Sequence, residues 1–302
     1  MLLTIFTPAY NRAEKLKDVF LSLESQINTE FEWLIVDDGS TDNTEEVITE
    51  LMKKSSMNIR YYKKENGGKH TAHNMAVSVA CGEYFLCLDS DDYMNQNSIE
   101  ILLKILKQCN QAEGIVAYKC DQNNQLLSDE FPKTEYVSNI YSLSQEFNCN
   151  GEFAFLFPTK VLQKNKFPVF AGERFLTESV LYDSLKCKMR ILPTIIEVCE
   201  YQVDGLSNNL NKIMKNNPAG YCLYFMQRID MQNDLRNRII TMGKYRCFCI
   251  FAGENKSNYS GKHKILLKLS YPVGILMWFY YKCVRGFKGF DLSSQIGRIS
   301  GL

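Results

Sequence analysis

The chain has 302 residues, of which 45% are hydrophobic and 23% are charged. This balance excludes wholesale disorder and can supply a sizeable core, so we expect one large domain and an appendage. The net charge of +1 indicates little about partners, and we expect no nucleic-acid partner.

Four short apolar runs alternate with helical patterns in the first hundred residues, at residues 2–7, 32–37, 58–63 and 84–88. This alternation is typical of a layered α/β domain with a mostly parallel sheet. The helical spacing predicts which side chains face that sheet. They are Leu16, Val19, Phe20, Leu23 and Ile27 after the first run, and Ile99, Leu102, Leu103 and Leu106 after the fourth.

The pattern is less regular further along the chain. Residues 120–175 are rich in aromatic side chains with weak periodicity, and residues 218–250 predict one long helix or two broken ones. We place the domain boundary near residue 210, so that an α/β domain covers 1–210 and a helical region covers 211–302.

Polar residues follow each of the four runs, and ligands of open α/β sheets bind beyond the carboxyl ends of the strands. The fourth run ends in Asp89-Ser90-Asp91-Asp92. Three neighbouring carboxylates repel one another unless a cation or hydrogen bonds neutralise them, and oxygen-rich sites suit Mg²⁺ or Mn²⁺. The alternative is a solvated acidic cluster at the start of the helix that Ser98 opens.

The second run ends in Asp37-Asp38-Gly39, and Ser40 and Thr41 then predict a capped helix start. This segment is either only a turn, or a turn whose carboxylates also accept hydrogen bonds from a base or ribose.

Tyr10 after the first run offers a flat ring for stacking on a base. After the third run, Gly67 and Gly68 allow close backbone approach to a ligand, and Lys69 or His70 could meet a phosphate or base; a Gly-Gly turn with a solvated lysine is the alternative. The segment lacks the glycine spacing of a Walker loop, and no GxGxxG follows the first run, which disfavours a dinucleotide-binding dehydrogenase.

In chain order the four segments read TPAYNR, VDDGSTD, NGGKHTAHN and GEYFLCLDSDD. Together they resemble the family 2 glycosyltransferases of the GT-A fold. The resemblance implies a Rossmann-like, mostly parallel sheet flanked by helices, with a C-terminal helical appendage. Many relatives carry arginine before the Asn of the third motif, where this chain has His73.

The resemblance also implies a donor nucleotide site and a metal ligand. Pro8, Tyr10 and Asp38 are expected around the nucleobase with Asp37 and Lys69 nearby, Asp89 at the ribose and diphosphate, and Asp91 on Mn²⁺ or Mg²⁺. The complete predicted donor site consists of Pro8, Tyr10, Arg12, Asp37, Asp38, Gly68, Lys69, Asp89 and Ser90.

Residues 172–178 resemble the acidic segment that carries the family's catalytic base. Glu178 is the candidate base, with Glu173 and Asp183 as fallbacks; a solvated helix acid is the alternative. Residues 201–207 resemble the motif that closes the catalytic domain.

The expected activity is inverting transfer of a sugar from a nucleoside diphosphate sugar, UDP by resemblance, to a saccharide or lipid-linked saccharide in cell-surface polysaccharide synthesis. A sugar-nucleotide pyrophosphorylase is a second hypothesis, although the usual glycine-rich, Arg-bearing loop is missing. A non-catalytic carbohydrate-binding protein is a third, favoured only if the acidic motif binds no metal.

Location is predicted from the cysteines and from both ends of the chain. Eleven cysteines at irregular spacing without a CxxC pair indicate a reducing compartment, and no export signal is visible at the start, so we expect a cytoplasmic bacterial protein. The apolar stretch 265–284 is interrupted by Lys268, Pro272 and Lys282. It predicts peripheral contact with the inner face of the membrane or, alternatively, a helix packed on the catalytic domain.

Overall fold

A computed structural model describes residues 1–109, 113–200, 210–254 and 257–283. The four predicted strands are present and alternate with helices. The elements of this part are β1 (Leu3–Ala9), α1 (Lys15–Glu24), β2 (Phe31–Asp37), α2 (Thr44–Lys54), β3 (Asn58–Lys63), α3 (Lys69–Val79) and β4 (Tyr84–Cys87).

Five further strands follow β4 in the described residues. The elements of this part are β5 (Asp92–Met94), α4 (Ser98–Leu106), β6 (Glu113–Asp121), β7 (Tyr136–Val137), α5 (Ile140–Phe147), β8 (Phe153–Pro158), α6 (Thr159–Lys164), α7 (Ser179–Tyr182) and β9 (Lys188–Cys199). Of these strands, β7 and β8 lie in the segment without clear periodicity. Helices follow: α8 (Leu210–Asn216), α9 (Pro218–Arg228), α10 (Leu235–Phe251), α11 (Lys264–Leu269) and α12 (Tyr271–Cys283).

All nine strands form one sheet in the order β3-β2-β1-β4-β8-β6-β9-β5, with β7 paired to β9. The strands β3, β2, β1 and β4 are parallel neighbours, and β6 is parallel to β9. The antiparallel strand β8 joins these two parallel groups. The predicted α/β class with a mostly parallel sheet flanked by helices is confirmed.

The helical patterns identify most of the core, but two predictions about helix ends are wrong. Leu16, Val19 and Leu23 are fully buried, as are the side chains predicted on α4. Ile27 is 74% exposed, because α1 ends at Glu24 and Ile27 lies beyond it. The predicted cap by Ser40 and Thr41 is also wrong, since α2 begins at Thr44 and Ser40 instead accepts a hydrogen bond from the Asn11 N–H at 2.8 Å.

The described residues group into two compact units. The first contains residues 1–109, 113–167 and 181–200, and the second contains 168–180, 210–254 and 257–283. Residues 168–180, with Glu178, therefore group with the C-terminal helices rather than with the sheet. The boundary placed near residue 210 stays a prediction, because residues 201–209 lie outside the described part of the chain.

The second unit is built on aromatic and glycine contacts between helices. Phe248 on α10 packs against Phe225 of α9 and Tyr281 of α12, with ring centroids 5.5 and 5.7 Å apart. Gly243 and Gly274 let α10 and α12 approach closely, since a Cβ on Gly274 would lie 2.4 Å from the Cβ of Arg246. Residues 218–250 thus form two helices, α9 and α10. This is the second of the two predicted alternatives.

Candidate active site

The carboxyl ends of β3, β2, β1 and β4 meet at one edge of the sheet, because these strands are parallel neighbours. The four polar motifs begin at these ends. The chain turns tightly there: the Asp38 N–H donates to the Ala9 carbonyl at 2.7 Å, and the Lys64 N–H donates to the Asp37 carbonyl at 2.9 Å. The fold therefore gathers the motifs at a single edge.

Asp38 holds the third motif in place. Its buried carboxylate accepts hydrogen bonds from the Lys64 ammonium at 2.6 Å and from the N–H groups of Gly67 and Gly68 at 3.0 and 2.6 Å. Gly68 has φ +92, in the left-handed region that favours glycine, and α3 begins at the next residue. The backbone that starts α3 is thus fixed from the end of β2.

Asp37 is fully buried, and both of its oxygens are engaged. One accepts the Ser40 N–H at 2.7 Å and the other accepts the Tyr61 hydroxyl at 2.6 Å. Burial and the hydrogen bond to this carboxylate raise the pKa of Tyr61. A direct contact between Asp37 and a nucleobase stays a prediction; within the chain, the carboxylate shapes the turn after β2.

The loop after β1 carries the exposed groups of the site. Tyr10 is 48% exposed, Arg12 is exposed and Pro8 is half-buried. Asn11 adopts φ +53 and accepts the Thr41 N–H at 2.9 Å through its side chain. This bond ties the loop to the turn after β2 and leaves the ring of Tyr10 open to a ligand.

Lys69, the first residue of α3, pairs with Asp89 across the site at 2.5 Å, and both side chains are more than one-third exposed. Burial raises the pKa of Asp89, but the charges of Lys69, Lys119 and Arg12 outweigh it and hold the pKa below its ordinary value. The pair brings a cation and an anion from two motifs to one place.

Asp91 lines a cavity of about 390 Å³, with Lys15, Ser22 and Glu200 also on its wall. Burial and the charges of Asp89 and Asp92 raise the pKa of Asp91. Ser90, between the acids, is buried. A positive charge near the loop after β4 would therefore stabilise the ionised form of Asp91.

Asp91 fits a divalent cation shared with a ligand better than a cation held by protein alone. Among the described residues, no set of three metal-ligating side-chain atoms within 4.8 Å of one another includes Asp91. Mg²⁺ commonly binds through one or two carboxylates together with substrate phosphates. The half-buried, electrostatically crowded Asp91 carboxylate suits that arrangement.

A buried ionic cluster behind this loop was not predicted. Asp92 on β5 lies 3.6 Å from Lys119 of β6 and accepts the Cys199 thiol of β9 at 3.2 Å, and Lys119 also pairs with Glu197. Lys119 and Glu197 are partners in the register of β6 and β9. The signal in the sequence was a single charged residue in each of two apolar runs. These are Lys119 in residues 114–120 and Glu197 in residues 195–199.

His73, which precedes the Asn of the third motif, lies in the core of the first unit. It is buried among Phe6, Phe85, Phe167 and Tyr182, with ring centroids 5.0 to 6.3 Å away. Neither ring nitrogen has a hydrogen-bond partner in the described part of the chain, and burial lowers the pKa of His73 to about 3. This histidine belongs to the core.

The candidate bases differ in their surroundings. Glu173 accepts the N–H groups of Ala219 and Gly220 at 2.7 and 2.8 Å, so it holds the start of α9. Glu178 is half-buried in the same unit, directly before α7, and Asp183 lies in the first unit. The motif predicted at residues 201–207 lies outside the described residues.

The chain is similar to known proteins in sequence and in structure. The chondroitin synthase of Pasteurella multocida is 43% identical over 181 residues, which cover 60% of this chain but only 15% of the synthase. The structure of S. aureus TarS 1-349 in complex with UDP-GlcNAc matches with a TM-score of 0.59 at 17% identity, covering 93% of this chain and 90% of that one.

A mannosyltransferase from Pyrobaculum calidifontis, solved with GDP-Man and Mn²⁺, matches with a TM-score of 0.53 at 14% identity, over 99% of this chain and 85% of that one. These likenesses confirm the GT-A fold. The family model described as Glycosyl transferase family 2 matches residues 4–167, more than half of the chain. The chain therefore belongs to glycosyl transferase family 2.

Proposed function

We propose that the protein transfers a sugar, with inversion, from a UDP-sugar to a saccharide or lipid-linked saccharide acceptor in cell-surface polysaccharide synthesis. The observation that carries the proposal is the meeting of four polar motifs, the last of which contains Asp91, at one edge of the parallel sheet. The UDP-GlcNAc complex of S. aureus TarS and the similarity to a chondroitin synthase support this substrate class. Family membership favours sugar transfer over pyrophosphorylase or simple carbohydrate binding.

Donor binding is assigned to the exposed groups of the edge. Tyr10 stacks on the base, and Pro8, Asp37 and Asp38 shape the pocket around it. Lys69 and Arg12 supply positive charge for the diphosphate, since both lie close enough to stabilise the Asp89 anion. Gly68 and Ser90 contribute backbone at the same edge, where the start of α3 favours negative groups.

Asp91 is assigned to Mn²⁺ or Mg²⁺. The Pyrobaculum calidifontis structure with GDP-Man and Mn²⁺ supports a divalent cation in this fold. When bound, the cation stabilises the negative charge that develops on the departing diphosphate, an effect worth several kcal/mol. The chain contributes the carboxylate, and Asp92 behind it is anchored by Lys119 and Cys199.

Glu178 is assigned as the general base. Its carboxylate accepts the proton of the acceptor hydroxyl, the hydroxyl oxygen forms the bond to the anomeric carbon, and the bond to the nucleoside diphosphate breaks on the opposite face. Both oxygens of Glu173 accept backbone N–H groups at the start of α9, which gives this carboxylate a structural role. We infer a reaction in the cytoplasm, which the irregular spacing of the eleven cysteines, without a CxxC pair, supports.

Glu178→Gln tests this assignment, because it removes the base and keeps the size of the side chain. The probe is the UDP-sugar that most stabilises the wild-type protein against heat with Mn²⁺ present. Release of UDP should fall by roughly 10²–10⁴-fold. Binding of UDP, measured by calorimetry, should not change. Glu146→Gln, on the exposed end of α5, is the control, and wild-type turnover in Glu178→Gln would refute the base.

A further inference from the structure

One face of α11 and α12 exposes large apolar side chains. Ile265, Leu269 and Leu276 are 78%, 71% and 70% exposed, and Phe279 and Tyr280 are also exposed. These five residues form what we term the α11–α12 surface. Soluble proteins rarely expose large apolar patches, and such patches mark contact sites.

The opposite face of α12 packs firmly within its own unit. Gly274 and Tyr281 are buried, and Val273 and Met277 lie against Gly243 of α10. Trp278 adds a ring contact with Phe251, at 6.3 Å between centroids. Because α12 is held through this face, its exposed side chains are not needed to attach the helix to the rest of the unit.

The surface is bordered by positive charge. Lys262, Lys264, Lys268 and Lys282 are exposed, and residues 257–283 contain no aspartate or glutamate. A second copy of the same surface would bring like charges together, whereas an anionic lipid headgroup layer complements both the lysines and the apolar side chains. None of the described helices has the length and apolar character needed to cross a bilayer.

We propose that the α11–α12 surface docks the protein on an anionic membrane, with the apolar side chains at the acyl boundary and the lysines among the headgroups. Docking of this kind combines buried apolar area with attraction to acidic lipids. The proposal does not depend on the sugar transferred or on the assignments at Asp91 and Glu178.

The test is co-sedimentation of the full chain with vesicles of phosphatidylcholine alone or with added phosphatidylglycerol. The protein should bind the anionic vesicles and should bind phosphatidylcholine much more weakly. Lys264→Gln and Lys268→Gln should each weaken anionic binding about fivefold. Leu276→Glu with Phe279→Glu should weaken it at least about tenfold.

Leu235→Glu is the matched control, because Leu235 is 58% exposed in the same unit but lies at the start of α10, outside the surface. It should bind like the wild-type protein. Thermal unfolding and UDP binding should be unchanged in every variant, which separates docking from folding and from donor chemistry. Wild-type protein that stays in the supernatant would overturn the proposal, as would a dimer in sedimentation velocity that Leu276→Glu dissociates.

Discussion

The two units place their charged groups differently. In the first unit, Asp37, Asp38 and Glu197 are buried and paired at the sheet. In the second unit, the helix interfaces are built from rings and glycines, and the lysines of α11 and α12 are exposed. The buried basic side chains of this unit, Arg228 and Lys244, lie over the rings of Tyr224 and Phe225. Buried ions add little net stability, so a fold gains little by keeping them for stability alone. The difference points to donor chemistry in the first unit and packing and docking in the second.

Glu178 qualifies this division. Like its fallback Glu173, it groups with the second unit, through residues 168–180. Substitutions in each unit test this difference between the two units.

The largest effect on stability is expected at the buried cluster. Lys119→Met leaves Asp92 and Glu197 without their cation, and removing one partner of a buried pair costs about 3–5 kcal/mol. Urea unfolding measures the loss. Lys119→Met combined with Glu197→Met should recover part of it, because less unpaired charge is then buried. A single variant as stable as the wild-type protein would show that the cluster is not tightly paired.

A smaller effect is expected in the second unit. Gly274→Ala would place a Cβ 2.4 Å from the Cβ of Arg246, so α10 and α12 must separate. Overpacking of this kind costs about 1–3 kcal/mol. Leu276→Ala, on the exposed face of the same helix, is the control and should change the free energy of unfolding by about 0.5 kcal/mol or less. If Gly274→Ala cost more than Lys119→Met, the contrast between the units would fail.

The smallest effect depends on pH. The pKa of His73 is lowered by burial to about 3, from an ordinary value of 6.5. As pH falls, the His73 ring is therefore protonated in the unfolded chain before it is protonated in the folded protein. The free energy of unfolding is highest above pH 6.5 and decreases as pH falls toward 3. At pH 5.5 the loss is about 1.3 kcal/mol relative to neutral pH. His73→Leu should remove this part of the acid sensitivity in urea unfolding, and an unchanged pH dependence would contradict the burial of a neutral ring.

The sequence predicted the four parallel strands and the polar motifs at their ends because these signals are local. Each parallel strand requires an apolar run, and each motif follows its run within a few residues, so the positions of Tyr10, Asp38, Lys69 and Asp91 followed from chain order alone. The α4 stripe was equally local. Their roles as ligands remain predictions until a donor is bound.

The rest depended on contacts between distant segments. Asp92 pairs with Cys199 in the register of β5 and β9, which local periodicity cannot reveal. Ile27 was misplaced because α1 stops early, and the Gln26 side chain that follows donates to the Asn95 carbonyl and accepts the Ile99 N–H. The grouping of residues 168–180 with the C-terminal helices is likewise a property of three-dimensional packing.

The most direct test of the donor site is calorimetric titration of UDP into the wild-type protein and Asp91→Ala, with and without Mn²⁺. Wild-type protein should bind UDP at least about tenfold more tightly when Mn²⁺ is present, because cation and diphosphate bind together. Asp91→Ala should lose that gain while keeping its metal-free affinity. Equal UDP affinity with and without Mn²⁺ in the wild-type protein, or an undiminished gain in Asp91→Ala, would contradict the assignment.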